Sequence, residues 1–156
     1  MGRIVIIEDD EGVRRVIAKT VRGAGYEWFA AENGREGMQL VAAYDPALVI
    51  TDIFMPEMDG IEIIRILRCE RPTLPILAIS GGFGGQWHSL NYLGMARELG
   101  ATMTLRKPFR VSVLLEAVAF LLGNPVLAPP DHSSAKADGK PDANESIRAP
   151  RKASQA

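Results

Sequence analysis

This chain has one cysteine, two histidines, net charge close to zero and no long hydrophobic run, and each shortage removes a class of protein. Cys69 alone cannot close an internal disulfide, which points to a reducing compartment. His88 and His132 have no companions at ligand spacing, so no transition-metal site is assigned. The apolar stretch after Arg3 runs only from Ile4 to Ile7 before acids interrupt it, too short for a secretory signal. The longest later stretch, Val111 to Leu122, contains Glu116 and falls short of the roughly 20 residues of a membrane span. A net charge of −1 gives no overall drive toward nucleic acid or anionic lipid. What remains is ordinary globular usage, 47% apolar and 24% charged over 156 residues, enough for one domain with one core. The expectation is a soluble, cytoplasmic protein.

Two patterns alternate from the start to about Gly123. Ile4–Ile7, Leu48–Thr51, Ile76–Ile79 and Met103–Leu105 are short apolar, partly β-branched runs, as in strands buried on both faces. Between them, Val13, Val16, Ile17, Thr20 and Val21 repeat at helical period, as do Leu114, Ala117, Val118 and Leu121. Further helices are read at Arg35–Tyr44, Ile61–Glu70 and Ser89–Leu99, with Asp10 as the N-cap of the first helix and Gly100 as the stop of the fourth. Tyr26–Ala30 and Thr102–Leu105 are mixed in polarity, as edge strands are. Five βα units in strict alternation predict a parallel sheet with helices on both faces. Residues 124–156 hold five of the ten prolines and no Phe, Trp or Tyr; they are read as a disordered tail following a domain at 1–123.

The ends of the four apolar runs carry the chemistry. Glu8 and Asp9 follow the first, Asp52 the second, Ser80 the third, and Lys107 comes just after the fourth. In an open parallel sheet such ends meet in one crevice. Taken singly, each residue has an ordinary reading: an acidic helix start, a strand-end aspartate, a turn hydroxyl, a solvated lysine. Together they do not. Carboxylates about 4 Å apart repel by about 4 kcal/mol per pair at an effective dielectric of roughly 20. A cluster of them therefore calls for a cation, and hard oxygen ligands suit Mg²⁺. Asp52 is followed by Pro56 and Asp59-Gly60, which suit a tight turn into a helix.

These residues resemble the receiver domain of two-component response regulators: Ile4–Arg14, Asp52–Gly60, the Ser80 strand end and Lys107-Pro108-Phe109 carry the resemblance, over nearly all of 2–123. The resemblance implies an α/β doubly wound, five-stranded parallel sheet in flavodoxin-like order 2-1-3-4-5, with five helices. It implies that Asp52 is the phosphoacceptor and that Glu8, Asp9, Asp52 and the backbone carbonyl of Phe54 hold Mg²⁺. Ser80 would bind the phosphoryl group, Lys107 would pair with it, and the Lys107–Pro108 bond would be cis. Implied partners are a histidine kinase or histidine phosphotransfer protein upstream and a protein target downstream, without DNA binding or a membrane span. The chain would be a stand-alone signalling receiver, not an enzyme, though it assists its own phosphorylation and dephosphorylation.

Two features depart from the family pattern. Thr104 occupies the position of the usual switch aromatic, three residues before the lysine. The connection from Ser80 to Lys107 is longer than usual and contains Gly81–Gly85, read as a flexible loop because it lacks the Lys-Ser/Thr of a P-loop. Trp87, His88 and Tyr92 follow it, as core edge or as partner surface. Phe54 is bulky and apolar two residues past Asp52, and Gly82 offers no side chain to orient a water, which predicts a long-lived acyl phosphate. Rival readings lack support in the residues. A flavin phosphate would be repelled by the acids after the first strand. A phosphotransferase enzyme would want an acid where Phe54 stands. A phosphorylation-independent interaction module would have lost the acceptor, an acid or the lysine.

Overall fold

The computed structural model describes residues 2–81 and 86–124, with backbone alone for 86–90. The expectations for Gly82–Gly85, for the side chains of Trp87 and His88, and for the tail beyond Asn124 lie outside the described residues. Five strands alternate with five helices: β1 Arg3–Ile7, α1 Glu11–Gly23, β2 Glu27–Ala31, α2 Gly34–Tyr44, β3 Leu48–Asp52, α3 Gly60–Glu70, β4 Ile76–Ser80, α4 Gln86–Glu98, β5 Met103–Arg106 and α5 Val111–Leu121. All strand pairs are parallel, in the order β2-β1-β3-β4-β5, as expected. Among the described residues no helix is long and apolar enough to cross a membrane.

The strand pleat divides the core in two. Ile4 and Ile6 of β1 and Ile50 of β3 face Ile17 and Val21 of α1 and Leu114 and Val118 of α5. Val5 and Ile7, with Val49, face the other way onto Val41 of α2, Ile63, Ile64 and Leu67 of α3, and Ala96 of α4. Every residue of β3 and β4 is buried, which explains why those runs lack polar alternation. The edge strands differ from each other. β2 is partly exposed, whereas Met103, Thr104 and Leu105 of β5 are buried.

The helix starts follow from short polar side chains. Asp10 Oδ1 accepts from the Val13 N–H at 2.8 Å, Asn33 Oδ1 from Glu36 at 2.9 Å, and Asp59 Oδ1 from Glu62 at 2.9 Å. Gly60 permits the tightest approach: a Cβ there would overlap the Asp52 carbonyl oxygen and sit 2.7 Å from the Ile53 Cα. The start of α3 can therefore lie against the end of β3. At the opposite end of the sheet, the Arg68 guanidinium donates to the carbonyls of Gly100 at 2.6 Å and Leu74 at 2.7 Å and to Thr102 Oγ1 at 3.2 Å. One side chain of α3 thus joins the approaches to β4 and β5.

Candidate functional site

The site lies beyond the carboxyl ends of β1, β3, β4 and β5, on both sides of the switch point where the chain reverses its direction of winding. β1 delivers Glu8 and Asp9. Glu8 is buried, 1% exposed, and Asp9 faces solvent. β3 ends in Asp52, 5% exposed, and β4 in Ser80, which is fully buried. One carboxylate oxygen from each of Glu8, Asp9 and Asp52 lies within 4.8 Å of the others. Lys107 Nζ reaches in to 2.8 Å from Glu8 Oε2 and 3.4 Å from Asp52 Oδ2. The Lys107 backbone N–H donates to the Ser80 carbonyl at 2.8 Å, and the Lys107–Pro108 bond is cis, as the resemblance implies. All five side chains singled out in the sequence are thus at one end of the sheet.

Two further groups hold the acidic turn in place. The Asp10 N–H donates to Glu8 Oε1 at 3.2 Å, and the Arg14 guanidinium donates to the carbonyls of Glu8 at 2.8 Å and Asp9 at 3.3 Å. Arg14 belongs to the segment that carries the resemblance, but its role was not legible in the sequence, because a helical arginine six residues past an acid ordinarily reads as a surface charge. The other residue the sequence left undecided is Tyr92. Its ring meets that of Phe54 edge-to-face, with centroids 4.6 Å apart and planes at 75°.

The electrostatics are those of a site short of positive charge. Burial raises the Glu8 carboxyl to about 7, with the Asp52 charge adding to the rise and Lys107 opposing it. Burial also raises Asp52, with Lys107 opposing and Asp9 adding. Burial by itself would lower Lys107, but its contact with Glu8 and the charge of Asp52 outweigh that, so its ammonium is held above its ordinary range. One ammonium is shared between two buried carboxylates, with a third acid beside them. Asp52 Oδ1 and Ser80 Oγ are buried and have no hydrogen-bond partner. Buried polar atoms are rarely left so. The donor set, three carboxylates with oxygens within one coordination sphere's reach, suits a hard divalent cation.

Fold and site together define a flavodoxin-like α/β protein with an acidic crevice at its switch point. A family model for the response regulator receiver domain matches residues 4–119, and the chain belongs to that family, the phosphoacceptor signalling domains of two-component systems. It is 33% identical over 120 residues to the response regulator MprA of Mycolicibacterium vanbaalenii, covering 77% of this chain and 50% of that protein. It is 28% identical to sporulation initiation phosphotransferase F of Bacillus subtilis, covering 74% of this chain and 90% of that one. Among solved structures, the chemotaxis protein CheY4 of Vibrio cholerae superposes with a TM-score of 0.68 at 27% identity, covering 78% of this chain and 99% of that one. The chain spans about half the length of MprA.

Proposed function

We propose that Asp52 accepts a phosphoryl group from the phosphohistidine of a histidine kinase or phosphotransfer protein. A carboxylate oxygen of Asp52 bonds to phosphorus as the phosphorus–nitrogen bond of the donor breaks, and the imidazole leaves. Glu8, Asp9, Asp52 and the Phe54 carbonyl would hold Mg²⁺, which would supply compensation for the charge gathered on the phosphoryl oxygens. The chain's own groups do the rest. Ser80 Oγ donates a hydrogen bond to one phosphoryl oxygen, and Lys107 Nζ leaves Glu8 to pair with another. The protein contributes position and charge and no covalent chemistry beyond its acceptor. The observation that carries this reading is the pair of buried, unpartnered oxygens, Asp52 Oδ1 and Ser80 Oγ, in a crevice with Lys107.

Output is by protein–protein contact through the face formed by α4, β5 and α5. Supporting this, Tyr92 and Met95 of α4 and Val111 and Phe120 of α5 are exposed apolar side chains on the elements nearest Ser80 and Lys107. Phosphorylation biases this face between two packings, a population shift within one fold. Incubation with a small-molecule phosphodonor and Mg²⁺ is expected to add the mass of one phosphoryl group to the wild type. The gain is expected to vanish with EDTA and in Asp52→Asn. A gain that survives either change would overturn the assignment.

A further inference from the structure

We infer that Arg14 is a positioning residue for the metal: it holds the Glu8–Asp9 turn in the bent form that puts both carboxylates on one cation. The inference rests on the Mg²⁺ set proposed above. Successive side chains of a strand point to opposite faces of the sheet. Glu8 and Asp9 are successive residues, yet each brings a carboxylate oxygen to within 4.8 Å of the other's and of one from Asp52. The backbone must therefore bend at the end of β1, and only Glu8, Asp9 and Asp10 separate β1 from α1. Each end of that connection is tied. The Glu8 N–H donates to the Ala31 carbonyl of β2 at 3.1 Å, and the Asp10 carbonyl accepts from the Arg14 N–H at 2.9 Å. Asp9 lies between them and faces solvent, so packing does not fix it.

One nitrogen holds the bend. Arg14 Nη1 donates to the Glu8 carbonyl at 2.8 Å and to the Asp9 carbonyl at 3.3 Å. Two consecutive carbonyls thus turn toward a single donor, which an extended chain does not permit. The donor is charged, and its hydrogen bonds are of the stronger kind. Mutual repulsion of Glu8, Asp9 and Asp52 pushes the other way, and Asp9, the solvent-facing member, is the carboxylate it would displace. The charge of Arg14 and its geometry have opposite consequences for a metal. A cation near the site repels Mg²⁺, so removal of the charge alone would tighten binding. Loss of the bend would weaken it, because the site would begin without Asp9. Outer-shell partners that orient metal ligands are typically worth about 10–100-fold in affinity, so positioning outweighs a charge that solvent partly screens.

The test titrates the unphosphorylated protein with Mg²⁺ alone and reads the dissociation constant from amide NMR shifts. Wild type is compared with Arg14→Ala, Arg14→Lys and Arg15→Ala, and each is melted in EDTA to report its metal-free fold. Arg15 pairs with Glu11 at 2.9 Å on the exposed surface of α1, so its loss removes the same charge from outside the turn. All four proteins are expected to melt cooperatively, because α1 keeps its buried face of Ile17, Ala18, Thr20 and Val21. Arg14→Ala is expected to bind Mg²⁺ about tenfold more weakly, and Arg15→Ala to match wild type. Arg14→Lys is expected to bind more tightly than Arg14→Ala, since one ammonium can stand in for the one bridging nitrogen. Unchanged or tighter binding in Arg14→Ala, an equal loss in Arg15→Ala, or no recovery in Arg14→Lys would overturn the inference. Failure of Arg14→Ala to fold in EDTA would also overturn it, since the residue would then support the fold and not the metal. Wild type that binds no Mg²⁺ would overturn the metal set itself. Wild type that binds Mg²⁺ yet gains no phosphoryl mass would overturn the proposed function and leave this inference standing.

Discussion

At the scale of the residue, the site is a balance of too many carboxylates against one ammonium. Glu8 makes the balance measurable. Its carboxyl is raised from 4.5 to about 7 in the folded chain, chiefly by burial. The folded state therefore binds a proton that the unfolded state has released between those values. Its contribution to stability is present below pH 4.5 and is lost as pH rises through about 7. In EDTA, wild type is expected to gain thermal stability relative to Glu8→Gln as pH falls from 7.5 to about 5, since the glutamine cannot titrate. A constant difference between the two proteins would contradict it. The acidic residues themselves were legible in the sequence because they follow apolar runs. The closest partnership was not: Lys107 lies nearer to Glu8 than to Asp52, and strand ends so far apart in sequence give no sign of which pair will touch.

At the scale of the element, local chemistry placed most boundaries. Asp10 caps α1 as its position before the first periodic residue implies, and Gly100, at φ +115°, stops α4 as expected. β2 and β5 each lie one residue later than the polarity pattern suggests, because an edge strand's pairing is set by its neighbour and not by its own weak alternation. Arg68 was invisible for a different reason. On a helix of mixed polarity it looks like a solvated charge, and only the tertiary fold brings the carbonyls of Leu74 and Gly100 to it. Arg68→Ala is expected to cost about 1–3 kcal/mol, because it strips donors from several carbonyls at once. Denaturant melts check this: a midpoint equal to wild type would mean that the guanidinium joins nothing of consequence. Arg68→Lys should recover little, since one ammonium cannot reproduce the fork.

At the scale of the molecule, strict βα alternation made a parallel sheet legible, the family resemblance implied its strand order, and that order brings the four strand ends together. It also sets Lys107 between the acceptor and the α4–β5–α5 face. In Lys107→Ala, phosphorylation is expected to proceed, more slowly, without the change in amide spectrum across α4 and α5 that the wild type undergoes. An unchanged spectral response would assign the transmission elsewhere, and the Phe54–Tyr92 contact is where it would be sought. The exposed apolar side chains of α4 and α5 were legible only as helical residues, because periodicity fixes a face without saying what covers it. The central claim is that the phosphoryl group sits on Asp52, and borohydride trapping tests it most directly. Reduction of the phosphorylated protein followed by peptide mapping should find homoserine at position 52 and nowhere else. Unreduced Asp52 in protein that has gained the phosphoryl mass would contradict the account.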